Sequence, residues 1–322
     1  MTMTKSIVLV FGLVMNAMIA QAQDASVRPV RIVVPAAPGG SGDILARFIG
    51  TKLNERLGQP VVVENRAGAG QMIGAEAVAR ANADGHTLLF ATVTYTTSAA
   101  TQIKLQFDPL NDLAAITMIG EGPFMMVAHP SLPIRSVQQL IALARARPGQ
   151  INYTSSGTGG VLHLVTEIIA ARAGIKMVHV PHRSVAPAVA DVLGGHVSLL
   201  VASMPSVLPQ TKAGRLRAVA VTSIKRSRFA PDVPTVSESG VTGFEARQWW
   251  GMFATGRTPS TMLAKLNAEL QVILATDEVK TRLVAEGAEV VLGMTPEAFG
   301  AVVKHDIGQW RKIVQDLKIQ VQ

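Results

Sequence analysis

The feature that most constrains this chain is a strand that breaks into glycines and restarts as a helix, a pattern that then recurs. Val30 to Pro35 reads VRIVVP, apolar enough for a strand buried on both faces, and runs into Ala36-Ala37-Pro38-Gly39-Gly40-Ser41-Gly42-Asp43. Ile44, Leu45, Phe48, Ile49, Leu53 and Leu57 follow at three- and four-residue spacing, which predicts a helix from about Asp43, with Gly58 as its C-terminal cap. A second run, Val61 to Val63, ends in Glu64-Asn65-Arg66, then Gly68, Gly70 and another helix from about Gln71. Asp84-Gly85 marks a turn before a third strand, Thr87 to Thr92. This alternation predicts a parallel sheet covered by helices.

The grammar restarts after Pro130. Ser136 is placed to cap a helix carrying Val137, Leu140, Ile141 and Ala144, which Pro148-Gly149 stops. Ile151 to Thr154 reads as a strand, followed by the turn Ser155 to Gly160 and a helix to about Ala171. Met177 to Val180, Val197 to Val201 and Arg217 to Thr222 are further short strands, and Trp249 to Thr255 is another. From Pro259 onward the sequence is largely helical, with Thr295-Pro296-Glu297 opening the last helix. Two α/β units result. The closing helices are too strand-poor for a third and are expected to pack on the first. The chain then crosses twice, near Gly122 and near Gly243, which makes a hinge with a cleft. The expected divisions are a leader over 1–22, one lobe over 23–123 plus 244–322, and a second over 124–243.

The leader has Lys5 ahead of an apolar stretch, Ile7 to Ile19, and Ala20-Gln21-Ala22 as a small-x-small cleavage site. That stretch falls short of the roughly 20 residues of a spanning helix. A mature chain outside the cytoplasm is expected from about Gln23. With no cysteine in 322 residues, disulfides, thiolate metal sites and cysteine nucleophiles are excluded. The formal net charge of +8 is scattered, apart from Lys225-Arg226-Ser227-Arg228, read as a solvated turn. Aromatics are only 4%, which argues against base-stacking surfaces and so against nucleic acid.

Chemistry is expected at the strand-to-helix turns. There the first helical N–H groups lack partners, the dipole's positive end stands behind them, and glycines admit a ligand close to the backbone. The first candidate contributes Gly39, Gly40, Ser41 and Asp43, with Asp43 as a cap and Ser41 as a hydroxyl donor. The second contributes Ser155, Ser156, Gly157, Thr158 and Gly159. A polar loop, Thr92 to Ser98, completes the wall through Thr92 and Thr94. Read alone, either glycine turn is equally a tight turn without a ligand. Paired across a cleft, they cradle one small anion.

Other chemistries lack their residues. Neither turn ends in Gly-Lys-Ser/Thr, and the dinucleotide glycine spacing is absent. Ser156 has no Gly-x-Ser-x-Gly elbow. His163 and Glu167 share a helix face at four-residue spacing without a third metal ligand, and a helix-face hydrogen bond is expected between them, while His163 is also counted with the second turn as a candidate ligand-binding residue. His179 and His182 straddle Pro181 as strand-end residues beside the cleft, and Trp249-Trp250 is expected to pack at the lobe junction. No cofactor, metal or catalytic group is expected.

Together these segments resemble the substrate-binding receptors of tripartite tricarboxylate transporters, the Bug family. The resemblance rests on Pro29 to Asp43, on Gly58-Gln59-Pro60-Val61-Val62-Val63-Glu64-Asn65-Arg66 with Gly68-Ala69-Gly70, and on Asp84-Gly85 and Phe107-Asp108-Pro109. Further marks are His129-Pro130-Ser131-Leu132-Pro133, Pro148-Gly149, the Ser155-to-Gly159 turn with His163-Leu164, Leu193-Gly194-Gly195-His196-Val197 and Pro231-Asp232-Val233-Pro234-Thr235. It implies a two-lobed periplasmic binding protein of the venus-flytrap type, each lobe a mostly parallel sheet flanked by helices. Such a protein captures a small carboxylate and delivers it to integral membrane permease subunits, as a monomer and without enzymatic activity. The resemblance places the ligand carboxylate at Gly40, Ser41, Asp43, Ser155, Ser156, Gly157 and Thr158. The chain departs from the family at Pro181-His182-Arg183-Ser184, where Pro-Tyr-Lys/Arg-Gly is frequent, and at Ser198 and Ser203, where acids are frequent. His182, Arg183 and Ser203 thus join the candidate wall and point to a more anionic ligand. A secreted α/β hydrolase and a ligand-sensing partner of a signalling receptor are the alternatives.

Overall fold

The computed structural model describes residues 28–102, 104–285, 287–317 and 319. The leader expected over residues 1–22 lies outside them. Strands are β1 (Val30–Val34), β2 (Val61–Asn65), β3 (Thr87–Thr92), β4 (Leu113–Ala128), β5 (Asn152–Ser155), β6 (Val178–Pro181), β7 (Leu199–Ser203), β8 (Arg217–Val221), β9 (Arg247–Thr255) and β10 (Glu289–Val290). Helices are α1 (Ser41–Leu57), α2 (Met72–Ala79), α3 (Thr94–Thr101), α4 (Val137–Ala146), α5 (Val161–Ala173), α6 (Val185–Leu193), α7 (Met204–Lys212), α8 (Ser260–Leu274), α9 (Asp277–Ala285) and α10 (Pro296–Asp316). A 3₁₀ turn, Ala69–Gln71, precedes α2.

The strands follow the order β2-β1-β3-β9-β4-β7-β5-β6, with β10 and β8 also on β4. β1 pairs in parallel with β2 and β3, and β5 with β6 and β7; the pairs made by β4 and β9 are antiparallel. The sheet is therefore mixed rather than mostly parallel, because the chain crosses and returns through antiparallel strands. β4 carries the first crossing. Its pairing with β9 ends at Pro123↔Arg247, and its pairing with β7 begins at Phe124↔Ser203. The closing helices pack on the first set of strands and add the short strand β10, which pairs with Gly120 and Glu121.

Apolar runs become the core, as burial on both faces requires. Ile32, Val33, Leu88, Leu89 and Phe90 are fully buried in the first set, and Leu199, Leu200 and Val201 in the second. β2 and β6 stand at the ends of the order and are only partly covered. The segment expected as a polar loop over Thr92 to Ser98 is instead helical from Thr94. Its threonines return their hydroxyls to the helix's own carbonyls, Thr96 to Val93 and Thr97 to Thr94, and its face is buried against α10. Packing overrides the low helix propensity of threonine here.

The second set encloses a polar stack. His179 lies 4.2 Å from His163 and 4.9 Å from Tyr153, ring centroid to centroid. The hydrogen bond expected between His163 and Glu167 is replaced by separate partners. His163 Nδ1 accepts from Gly159 N–H (3.2 Å), and Glu167 accepts from the Tyr153 hydroxyl (2.5 Å). Burial lowers His163 to about 4, and burial with the neighbouring His163 lowers His179 to about 4. Burial and the Glu167 carboxylate push the Tyr153 hydroxyl up.

Two tests follow from this packing. At Gly251 a Cβ would stand 2.2 Å from Phe299 Cζ, so Gly251→Ala is expected to cost about 1–3 kcal/mol in urea unfolding. Because the unfolded chain protonates both histidines first, stability falls as pH drops from about 6.5 toward about 4 and levels off below, by up to about 1.4 kcal/mol per pH unit for each ring. Thermal midpoints from pH 7 to pH 4 are expected to fall less steeply in the His163→Gln/His179→Gln double variant.

Candidate functional site

Every parallel strand delivers its carboxyl end to the same place, and every helix that follows begins there. A cavity of about 750 Å³ lies at this convergence. Its wall draws on the turns entering α1, α2 and α3 on one side and α5, α6 and α7 on the other. Among the described residues no Asp or Glu side chain lines it, and the charged or titratable side chains that do are His182 and Arg183.

At the first turn Gly40 is the N-cap of α1, with extended backbone and no side-chain cap. The first helical bond runs from Ile44 N–H to Gly40 O, so the N–H groups of Ser41, Gly42 and Asp43 have no backbone acceptor among the described residues. Gly40, Ser41 and Gly42 line the cavity; Gly39 and Asp43 do not. Asp43 braces the turn from behind, where its carboxylate accepts from Gly39 N–H (3.0 Å) and Asn65 Nδ2 (2.9 Å) and pairs with Arg47 (2.9 Å). Burial raises this carboxyl, but those bonds outweigh it and hold it below the usual range. Asp43 thus closes the loop onto Gly39 and leaves the helix end open. Ser41 Oγ accepts from Trp250 Nε1 (3.3 Å) and lies 3.2 Å from Ser203 Oγ at the mouth of α7. Trp249 turns the other way, giving its Nε1–H to Asp306 of α10 at 2.8 Å.

The facing turn has the same construction. Gly160 is an uncapped N-cap, and the first helical bond, Leu164 N–H to Gly160 O, leaves the N–H groups of Val161, Leu162 and His163 without backbone acceptors among the described residues. Ser156, Gly157, Thr158, Val161 and Leu162 reach the wall. Ser155, Gly159 and His163 lie behind it as supports. Ser155 Oγ donates to Gly157 O, accepts from Gly157 N–H and contacts His179 Nε2 (2.7 Å), while Gly159 N–H bonds to His163. The Ser155–His179 pair has the atoms of a nucleophile and a base, but Ser155 is fully buried and stands off the cavity, out of reach of a substrate there.

Thr92, Thr94, His182, Arg183 and Ser203 all line the cavity. His182 Nε2 lies 2.8 Å from Asp191 Oδ2, without the alignment of a hydrogen bond. Arg183 is exposed on the wall and makes no ion pair among the described residues. Sequence reasoning missed the Ala67-to-Gln71 segment, the amides of Gln102 and Gln248, the Ser184–Ala186 entry to α6 and the apolar patch of Pro35, Ala36 and Ala37. Gly68-Ala69-Gly70 carried a signal, since glycine spacing at a strand end marks the same kind of turn as the first. In the structure Ala69 and Gln71 take φ of 45° and 79° beside Gly70, a left-handed turn unusual for side chains with a Cβ.

Residues 45–319 match the family model described as the tripartite tricarboxylate transporter family receptor. The chain is similar to BugT of Bordetella pertussis, with 37% identity over 295 residues, covering 90% of this chain and 89% of BugT. It is also similar in structure to R. palustris Rpa4515 with adipate, at TM-score 0.88 and 33% identity over 92% of this chain and 99% of that one. MatC from Rhodopseudomonas palustris with bound malate aligns at TM-score 0.85 and 30% identity, covering 89% of this chain and 99% of MatC. With turns, topology and sequence agreeing over nearly the whole length, the chain belongs to the tripartite tricarboxylate transporter receptors of the Bug type, a family of two-lobed periplasmic solute-binding proteins.

Proposed function

We propose that this chain captures a small carboxylate between its lobes and delivers it, as a monomer in the periplasm, to the integral membrane subunits of a tripartite tricarboxylate-type transporter. The lobes are 23–123 with 244–322 and 124–243, after removal of a leader near Ala22. One observation carries the reading: a cavity walled by open helix N-termini and hydroxyls, free of lining carboxylates among the described residues, is built for an anion rather than a cation. The adipate and malate held by the similar R. palustris proteins support the same chemistry. Apolar groups at Pro35, Ala36, Val161 and Leu162 suit a short hydrocarbon body between polar ends. The chain acts as a receptor and not as an enzyme, since binding asks only for the donors already described.

Arg183, facing the cavity without an acidic partner among the described residues, is assigned to a second negative group of the ligand. Calorimetric titration with a panel of short mono- and dicarboxylates, including malate and adipate, tests both points. Binding of at least one member is expected, and a ligand at 100 times its dissociation constant should add about 2.7 kcal/mol to stability. Arg183→Ala is expected to weaken a dicarboxylate about tenfold, or about 1.4 kcal/mol, and to leave a monocarboxylate within about twofold. Unchanged dicarboxylate affinity in that variant would remove Arg183 from the site.

A further inference from the structure

Gln71 sits where α2 begins, buried, in a left-handed backbone conformation that a glycine would adopt with less strain. Its side chain accounts for its presence. Gln71 Oε1 lies 3.2 Å from the backbone N–H of Thr92, and Gln71 Nε2 lies 2.6 Å from Thr92 Oγ1. A backbone N–H only donates, so the oxygen end of the amide must face it. The nitrogen end must then donate to the Thr92 hydroxyl. Thr94 N–H also donates to that oxygen, at 3.3 Å. Both lone pairs of Thr92 Oγ1 are thereby occupied, and the hydroxyl proton has no acceptor among the described residues. Thr92 and Gln71 both line the cavity, and Thr92 stands beside Gly42 in the open first turn of α1.

We infer that Gln71 is a positioning residue that locks the Thr92 hydroxyl as a one-way donor, so that the ligand group bound there is an acceptor without a hydrogen to give, a carboxylate or carbonyl oxygen. This deepens the carboxylate reading and rests on it. An unlocked threonine hydroxyl donates or accepts as its neighbour requires. A locked one rejects an ammonium or amide nitrogen at that place, because the oxygen has no lone pair left to receive it. Gln102 holds the same turn from the other side, donating to Ala69 O at 2.7 Å, so the left-handed segment keeps the amide in place.

The test is a double-mutant cycle on the full mature chain, titrated with the tightest binder of the mono- and dicarboxylate panel, with thermal unfolding of each ligand-free variant as a folding control. Thr92→Val is expected to weaken binding about tenfold and Thr92→Ser to stay within about twofold. Gln71→Met is expected to weaken it about threefold, because the freed hydroxyl then spends part of its time turned away. A glutamine acting only through Thr92 adds nothing once the hydroxyl is gone, so the Gln71→Met/Thr92→Val double variant is expected to match Thr92→Val alone. Wild-type affinity in Thr92→Val, or losses that multiply in the double variant, would overturn the inference while leaving the carboxylate reading standing. If the unmodified protein binds no member of the panel, that reading falls and the inference with it.

Discussion

The rest of the structure depends on where unpaired peptide N–H groups are allowed to gather. A helix that follows a parallel strand must begin at that strand's carboxyl end, with its first donors unmet by its own carbonyls. In this chain α1, α2 and α3 begin on one side of a cavity and α5, α6 and α7 on the other. Helix N-termini gathered at one place bring partial positive charge toward the cavity without the cost of desolvating a full charge. Asp43 shows the arrangement from the opposite direction. Its negative charge sits behind the wall and is absorbed by Gly39, Asn65 and Arg47, so that it stiffens the turn without occupying the helix end it supports.

The two sides of the cavity are joined by more than backbone. Ser41, in the first turn of α1, and Ser203, at the mouth of α7, approach at 3.2 Å, and Trp250 donates into the same pair from β9. Ser203 in turn lies 3.0 Å from Ser206 Oγ, so hydroxyls continue into α7. Hydroxyls are suited to this place because each donates and accepts, and their partners can change without stranding a charge.

The strand-to-helix turns were legible because their signals are local: an apolar run, glycines, then residues at helical spacing. Gly40 to Gly42 and Ser156 to Thr158 reach the wall for the reason their composition indicates. Gly39, Asp43, Ser155, Gly159 and His163 were read as part of the same turns, yet they face backwards. Composition identifies a turn, but which of its atoms face inward depends on side-chain partners far away in the chain, such as Asn65 and His179. The length of β4 was hidden because glycines and a proline interrupt its middle, at Gly120, Gly122 and Pro123, where it changes partners. α3 was hidden because Thr96, Thr97 and Ser98 share its buried face with Tyr95 and Ala99, so no aliphatic periodicity marks it. Gln71 was invisible for a different reason, since its role depends on the direction of one amide and no spacing rule records that.

The double passage of the chain also orders its own assembly in time. The strands that complete β5 to β8 and the second part of β4 all precede residue 222, whereas β3 and the first part of β4 lack their shared neighbour until β9, ending at Thr255, has been made. In chain order the strands of the middle are therefore complete before β3 has its second neighbour, which lies more than 150 residues further on. Until β9 is in place, that edge of β3 has no strand to pair with, so closure of the first set of strands depends on a segment far along the chain.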